Sequence, residues 1–226
     1  MSKPLNKLKK YFFQPSSSSL STNYLNLIEN ILKEPTKTIA EKQVIIQKIL
    51  KIITNKIQIQ LNESVLFYGA FESTHKVSLP TKIIPFELTD YPDEIQPFSF
   101  SINKVPFFSY VWRDDRLLQT FSIIGKEGFD FNKQDNPENV VIHPLGIVIG
   151  FGNNHSTNAG LLDNSGESKV NYTLTLSQNQ ISQTLKNPKI NYECDEIKLL
   201  LEIAQLFISY NFSITIKWYQ RLFRFL

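Results

Sequence analysis

The run Asn139-Val140-Val141-Ile142-His143-Pro144-Leu145-Gly146-Ile147-Val148-Ile149-Gly150-Phe151-Gly152 limits the choice of fold more than any other part of this chain. Its apolar residues are continuous rather than alternating, the pattern of a strand covered on both faces. A core strand is therefore expected to run up to Gly152. It would deliver Gly152-Asn153-Asn154-His155-Ser156 into a short helix over 154–162, capped by Asn154 or Ser156, with Ala159, Leu161 and Leu162 packing back on the sheet.

Upstream, residues 1–22 combine four lysines with the serine run Ser16 to Ser19 and read as a flexible tail. From residue 23, Tyr24, Leu27, Ile28, Ile31 and Leu32 recur on one helical face that stops near Pro35. A second helix is expected from Thr38, an N-cap with Glu41 at the capping-box position, through Ile45, Ile49, Ile52 and Ile53 to about Ile59. Residues 23–61 thus form a helical hairpin. Residues 62–226 read as an α+β domain, so the expected fold class is α+β, a helical hairpin followed by a mixed sheet with flanking helices.

Within that domain the short β-branched and aromatic runs Val65–Tyr68, Ile83–Phe86 and Phe98–Ile102 suggest strands, in a region whose prolines favour edges and coil. Trp112 to Ile124 reads as a helix ended by Gly125, and 126–139 as a polar loop. Lys169 to Ser177 alternates like a half-buried strand, and Glu196 to Phe207 carries an apolar helical stripe. Ser213–Ile216 suggests a strand before an aromatic, basic chain end, Trp218 to Leu226, which either packs inward or marks a partner surface. Its stop on an apolar residue is also what a truncated reading frame would show.

The formal charge of +3, from 24 Lys+Arg against 21 Asp+Glu, does not by itself point to nucleic acid or membrane. Cys194 is the single cysteine, so no intramolecular disulfide can form and a cytoplasmic location is expected. His75, His143 and His155 lack the spacing of a helical metal pair, and neither a metal nor a cofactor is implied. No apolar stretch is long enough to span a bilayer, so integral membrane association is not expected.

The candidate site is the turn. Where a buried strand feeds a helix, free backbone N–H groups and the positive helix end converge and attract anions. Gly152 would let the backbone approach a phosphate or carboxylate closely. Asn153, Asn154 and Ser156 supply donors, and His155 supplies a contact or acid–base group that titrates near neutral pH. Arg116, within Trp112-Arg113-Asp114-Asp115-Arg116, is a possible anion partner, and His143 a further ligand-binding candidate. Against this stand plainer readings: a tight turn with a packed histidine, a solvated charged helix face, and a hydrogen-bonded structural His143.

His143-Pro144-Leu145-Gly146 followed by Gly152-Asn153-Asn154-His155-Ser156-x-x-Ala159-Gly160 resembles the Gly-Asn-His-Ser signature of an uncharacterised bacterial domain family of unknown function. At Gly152, Asn154 and His155 the turn is also similar, more distantly, to the ParB-like and sulfiredoxin-like nucleotide-binding fold, which implies a nucleotide ligand. Those domains carry arginine directly after the histidine, where this chain has Ser156. The resulting expectation is a protein that binds a phosphate-bearing ligand or nucleotide at 152–156. The alternatives are a non-enzymatic protein-interaction module with a structural turn, and nucleic-acid binding through the lysine-bearing second helix.

Overall fold

The computed structural model describes residues 17–68, 93–109, 114–127, 139–150, 154–163, 166–187, 195–214 and 216. Helix α1 (Ser17–Lys33) begins inside the segment expected to be tail, six residues ahead of Asn23. Its inner face is Ile28, Ile31 and Leu32, while Leu27, expected on that face, is 48% exposed. Residues 34–38 link it to helix α2 (Ile39–Tyr68). There the expected capping box is formed: the Thr38 N–H donates to the Glu41 carboxylate at 2.8 Å, and the Glu41 N–H donates to Thr38 Oγ1 at 3.3 Å. The Thr38 N–H, and the Thr38 hydroxyl that also donates to this carboxylate at 2.8 Å, hold the Glu41 carboxyl below its ordinary pKa.

Helix α2 has 30 residues, about 45 Å at the standard rise. One buried stripe runs along it through Ile46, Leu50, Ile53, Ile57, Leu61 and Val65. That stripe corrects the strand expected at Val65–Tyr68. Val65 stands four residues beyond Leu61, so continuing the helix buries it fully, and this outweighs the β preference of a short branched and aromatic run. Ile52, expected inside, lies on the opposite face and is 56% exposed.

The remaining elements are β1 (Asp93–Ser101), β2 (Phe107–Ser109), α3 (Asp114–Glu127), β3 (Asn139–His143), β4 (Ile147–Gly150), α4 (Asn154–Leu162), β5 (Glu167–Thr175), α5 (Gln178–Lys186) and α6 (Asp195–Ser209). The strands form one mixed sheet in the order β1-β5-β3-β4-β2. β1–β5 and β3–β4 are antiparallel, whereas β3–β5 and β2–β4 are parallel. The α+β class with flanking helices is therefore what the chain adopts.

The long core strand expected over 139–152 is in fact a hairpin. Residues 144–146 turn the chain, and Ile142 pairs with Ile147 while Asn139 pairs with Gly150. The signal lay in Pro144-Leu145-Gly146. Gly146 has φ +63°, a value that glycine adopts at no steric cost, and the His143–Pro144 peptide is cis. The hairpin is still covered on both faces, as the continuous apolar run required. Val140, Ile142, Ile147 and Ile149 join α1, α2 and α6 in one core; Val141 and Val148 join Phe107, Phe100 and Ala159 in the other.

Gly125 does not end α3, which continues to Glu127. Helix α5 was not expected, although Ser177 and Gln180 form a full capping box at its start. Leu162 is 49% exposed, so of the three α4 residues expected to pack inward it turns out to solvent. The described residues at 212–214 and 216 form no strand. Instead the Ile214 N–H donates to the Pro144 carbonyl at 2.9 Å, and the side chain covers the hairpin turn. The expectations for residues 1–16, Ile83–Phe86, the loop 128–138 and the aromatic end beyond 216 lie outside the described residues.

Two outcomes test this packing. A Cβ placed on Gly146 would stand 2.6 Å from Ile214 Cγ2 and 2.7 Å from the Ile214 carbonyl. Gly146→Ala should therefore cost about 2–4 kcal/mol in denaturant unfolding, combining a left-handed backbone with a clash against main chain.

Lys51 Nζ donates to the Ile102 and Val105 carbonyls at 2.7 and 3.0 Å and fastens the β1–β2 turn to α2. Burial, with a smaller contribution from Lys48, pushes its pKa down to about 8 from 10.5. Between these two values the unfolded chain binds more protons, so this group makes the protein more stable as pH rises through that window. The stability difference between wild type and Lys51→Met should shift in favour of wild type from about pH 8 to pH 10.5, read from unfolding curves at fixed salt.

Candidate functional site

Strand β2 is an edge strand, with β4 on one side only. Its outward N–H and C=O groups need partners that no strand supplies. Helix α2 crosses this edge and places Gln58 against it. The Ser109 N–H donates to Gln58 Oε1 at 2.7 Å, and Gln58 Nε2 donates to the Ser109 carbonyl at 3.1 Å. The side-chain amide thus pairs with the peptide as an added strand would.

A network grows from that clamp. Gln58 Nε2 also donates to Asn62 Oδ1 at 3.1 Å, and Asn158 Nδ2, from α4, donates to the same oxygen at 2.7 Å. On the far side of Ser109, its hydroxyl approaches the Gly150 carbonyl at 3.4 Å. Asn139 Nδ2 donates to Ser168 Oγ and to the Lys169 carbonyl at 2.8 and 2.6 Å. A Cβ on Gly150 would stand 3.1 Å from Asn139 Oδ1, from Ser109 Oγ and from Phe107 Cε2, so a side chain there would push these groups back by a few tenths of an ångström. Gln58, Asn62, Ser109, Asn139, Asn158 and Ser168 are all at most 5% exposed.

These groups run from the β2 edge inward past β4 to β3 and β5. The last residues of the parallel strands β2 and β4, Ser109 and Gly150, are paired. Residues 110–113 lead from the first into α3, residues 151–153 lead from the second into α4, and the two helices pack together. Two helix N-termini therefore begin beside the C-terminal ends of neighbouring parallel strands, the usual place for ligand sites in α/β sheets. Helix α4 has no carboxylate in its first turn, whereas Asp115 stands in the first turn of α3.

The sequence candidates fall unevenly around this edge. Asn154 and His155 form the first turn of α4 by their backbone, and Ser156 follows, half-buried. Gly152 and Asn153, like His75, Arg113 and Cys194, lie outside the described residues. Arg116 is exposed in the first turn of α3, so it starts from the same edge. His143 does not: it ends β3 at the opposite end of the hairpin from Gly150. It is half-buried, and burial holds its pKa below the ordinary value, as for a neutral structural histidine.

Sequence reasoning missed Gln58, Asn62, Ser109, Asn139 and Asn158. The available signal was Gln58 and Asn62, two amides at i, i+4 within the wide apolar face of α2. Among the described residues no three His, Cys, Asp or Glu side chains converge as metal ligands would, and no helix is long and apolar enough to cross a membrane.

Gln58→Leu should destabilise the fold by about 2–4 kcal/mol, because both Ser109 main-chain groups lose their partner inside the protein. Gln58→Glu should lose comparable stability at neutral pH and regain much of it on acidification. A buried carboxyl is pushed up, and its protonated form restores both the donor and the acceptor. A Gln58→Glu variant with a flat stability profile between pH 7 and pH 4.5, relative to wild type, would contradict the clamp.

A family model described as a family of unknown function (DUF6710) matches residues 6–181. No curated protein and no solved structure matches. The chain belongs to this family of unknown function.

Proposed function

We propose that this family member binds a phosphate-bearing ligand at the sheet edge where α3 and α4 begin, with the 152–156 turn as its anion cradle. The observation that supports this reading is the pairing of Ser109 with Gly150, since it sets side by side the ends of β2 and β4, the strands that precede α3 and α4 in the chain. On this reading the positive end of α4 faces the anion, Gly152 allows close approach, and Asn153, Asn154 and Ser156 add donors. Arg116, across on α3, supplies the opposing charge, and His155 serves as contact or acid–base group. The likeness of the turn to ParB-like and sulfiredoxin-like nucleotide sites points the same way.

A second reading, a protein-interaction module, is favoured by a different observation. Ile52 and Ile59 lie seven residues apart on the outer face of α2 and are 56% and 51% exposed. An aligned apolar pair on one helix face is a natural contact for another chain. Nucleic-acid binding is less well supported by α2. Of the lysines on this helix, Lys42 bonds the Leu32 carbonyl, Lys51 holds the β1–β2 turn and Lys56 pairs with Glu196. Lys48 remains as the exposed cation turned outward, too little for a phosphate-binding row.

Thermal melting of the full chain against inorganic phosphate and pyrophosphate tests the first reading. A ligand at a hundredfold its Kd adds about 2.7 kcal/mol, a rise of a few degrees for a chain of this size. The rise should shrink in Arg116→Gln and in His155→Ala. No rise with either anion, together with a lower melting point for His155→Ala, would make the turn structural and favour the protein-interaction reading.

A further inference from the structure

The outer face of α2 turns apolar groups to water. Ile52 and Ile59 are 56% and 51% exposed there. A β-branched side chain loses rotamer freedom in a helix, so at a solvent position isoleucine brings neither helix propensity nor burial, and Lys, Glu or Gln would serve the helix better. The opposite face of the same 30-residue helix is fixed in the core through Ile46, Leu50, Ile53 and Ile57. The exposed pair is therefore held on a rigid support.

The residues around this pair are placed symmetrically, with opposite charges at matching positions. Lys48 stands four residues before Ile52 and Glu63 four residues after Ile59, both exposed. Ile45 stands seven before Ile52 and Leu66 seven after Ile59, both half-buried. Near the midpoint is Asn55, exposed on the same face. Steps of three and four residues link all these positions, so they form one stripe along the helix. It reads apolar, cation, apolar, amide, apolar, anion, apolar. Reversing its direction keeps every apolar position and exchanges the two charges, which is what a helix needs in order to pack against an antiparallel copy of itself.

We propose that this face is an interface with a second copy of this chain, the two α2 helices lying antiparallel about a two-fold axis at residues 55–56. In that register Ile52 meets Ile59 of the partner subunit, Lys48 meets Glu63 of the partner subunit, and Ile45 meets Leu66 of the partner subunit, each contact occurring twice. A shallow crossing of about 20° keeps the stripe in contact from Ile45 to Leu66. A parallel pair would set Lys48 against Lys48 and Glu63 against Glu63, so the charges select the antiparallel arrangement. A different protein would make no demand that the stripe be complementary to itself. One helix against one helix is a small interface, below about 1,200 Å² in total, so the dimer should form in the micromolar range. The inference rests on the protein-interaction reading of this face and names the partner; it is independent of the phosphate site.

Sedimentation of the full chain over a series from about 1 to about 200 μM, at low salt because exposed ion pairs are screened, tests it. The wild type should pass from monomer to dimer across the series. Lys48→Glu and Glu63→Lys each bring like charges together twice, and each should weaken self-association by about tenfold or more. Mixed in equal amounts, the two variants should recover dimer at the wild-type level, because one then carries two anions on the stripe and the other two cations. Both positions are exposed, so circular dichroism should show the fold unchanged in either variant.

A wild type that stays monomeric throughout overturns the inference. The protein-interaction reading then survives only if immobilised wild type retains a protein from a lysate of its own cells that a Ile52→Lys, Ile59→Lys double variant does not, and otherwise it falls as well. A dimer that neither charge variant weakens, or variants that fail to recover it on mixing, would place the contact elsewhere and overturn the inference too.

Discussion

The amide of Gln58 against the peptide of Ser109 is the contact on which the arrangement of this protein depends. A three-residue edge strand cannot leave its outer main-chain groups unpaired inside a protein, and here a helix covers that edge instead of another strand. This demands a long α2. Its N-terminal half packs on one face of the sheet through Ile46, Leu50 and Ile53, and its C-terminal half passes the edge to reach α3 through Val65 and Leu117. Lys51 adds a second fastening nearer the start of the helix, holding the β1–β2 turn by two carbonyls.

The same clamp sets the character of the candidate site. Once α2 stands against Ser109, Asn62 is brought one turn further along to Asn158, and a polar network forms inside what would otherwise be an apolar junction of helix, strand and helix. A network with unmade bonds is less stable than an apolar core of the same shape. This network lies where β2 and β4 end, in contrast to the apolar core on the other face of the sheet. There, Phe108, Ile142 and Leu200 line only a small packing gap of wholly apolar walls.

Local patterns in the chain were informative wherever one short-range rule decided the outcome. The capping box of Thr38 and Glu41, the helical stripe of α6 and the short helix after Gly150 all follow from neighbours within a few residues. The misreadings occurred where two local rules competed. Val65–Tyr68 has strand composition but continues a helical stripe, and the run 139–150 is apolar throughout yet contains a turn at Pro144-Leu145-Gly146. In both, the burial available in the assembled core selected one of two locally acceptable answers.

The sequence by itself determined that Val140–Ile142 and Ile147–Ile149 had to be covered on both faces, because a continuous apolar run cannot face water. It also determined that a helix had to start near Asn154, because capping residues follow a strand there. Only the tertiary structure decided that this run folds back on itself, that His143 stands at the opposite end of the hairpin from Gly150, and that Gln58, Asn62, Ser109 and Asn158 meet. Asn62 and Asn158 are 96 positions apart, and no periodicity within a single chain encodes which buried amide will find which. That pairing follows from the need to satisfy the Ser109 peptide at the sheet edge, a requirement that exists only once strand, helix and edge are assembled.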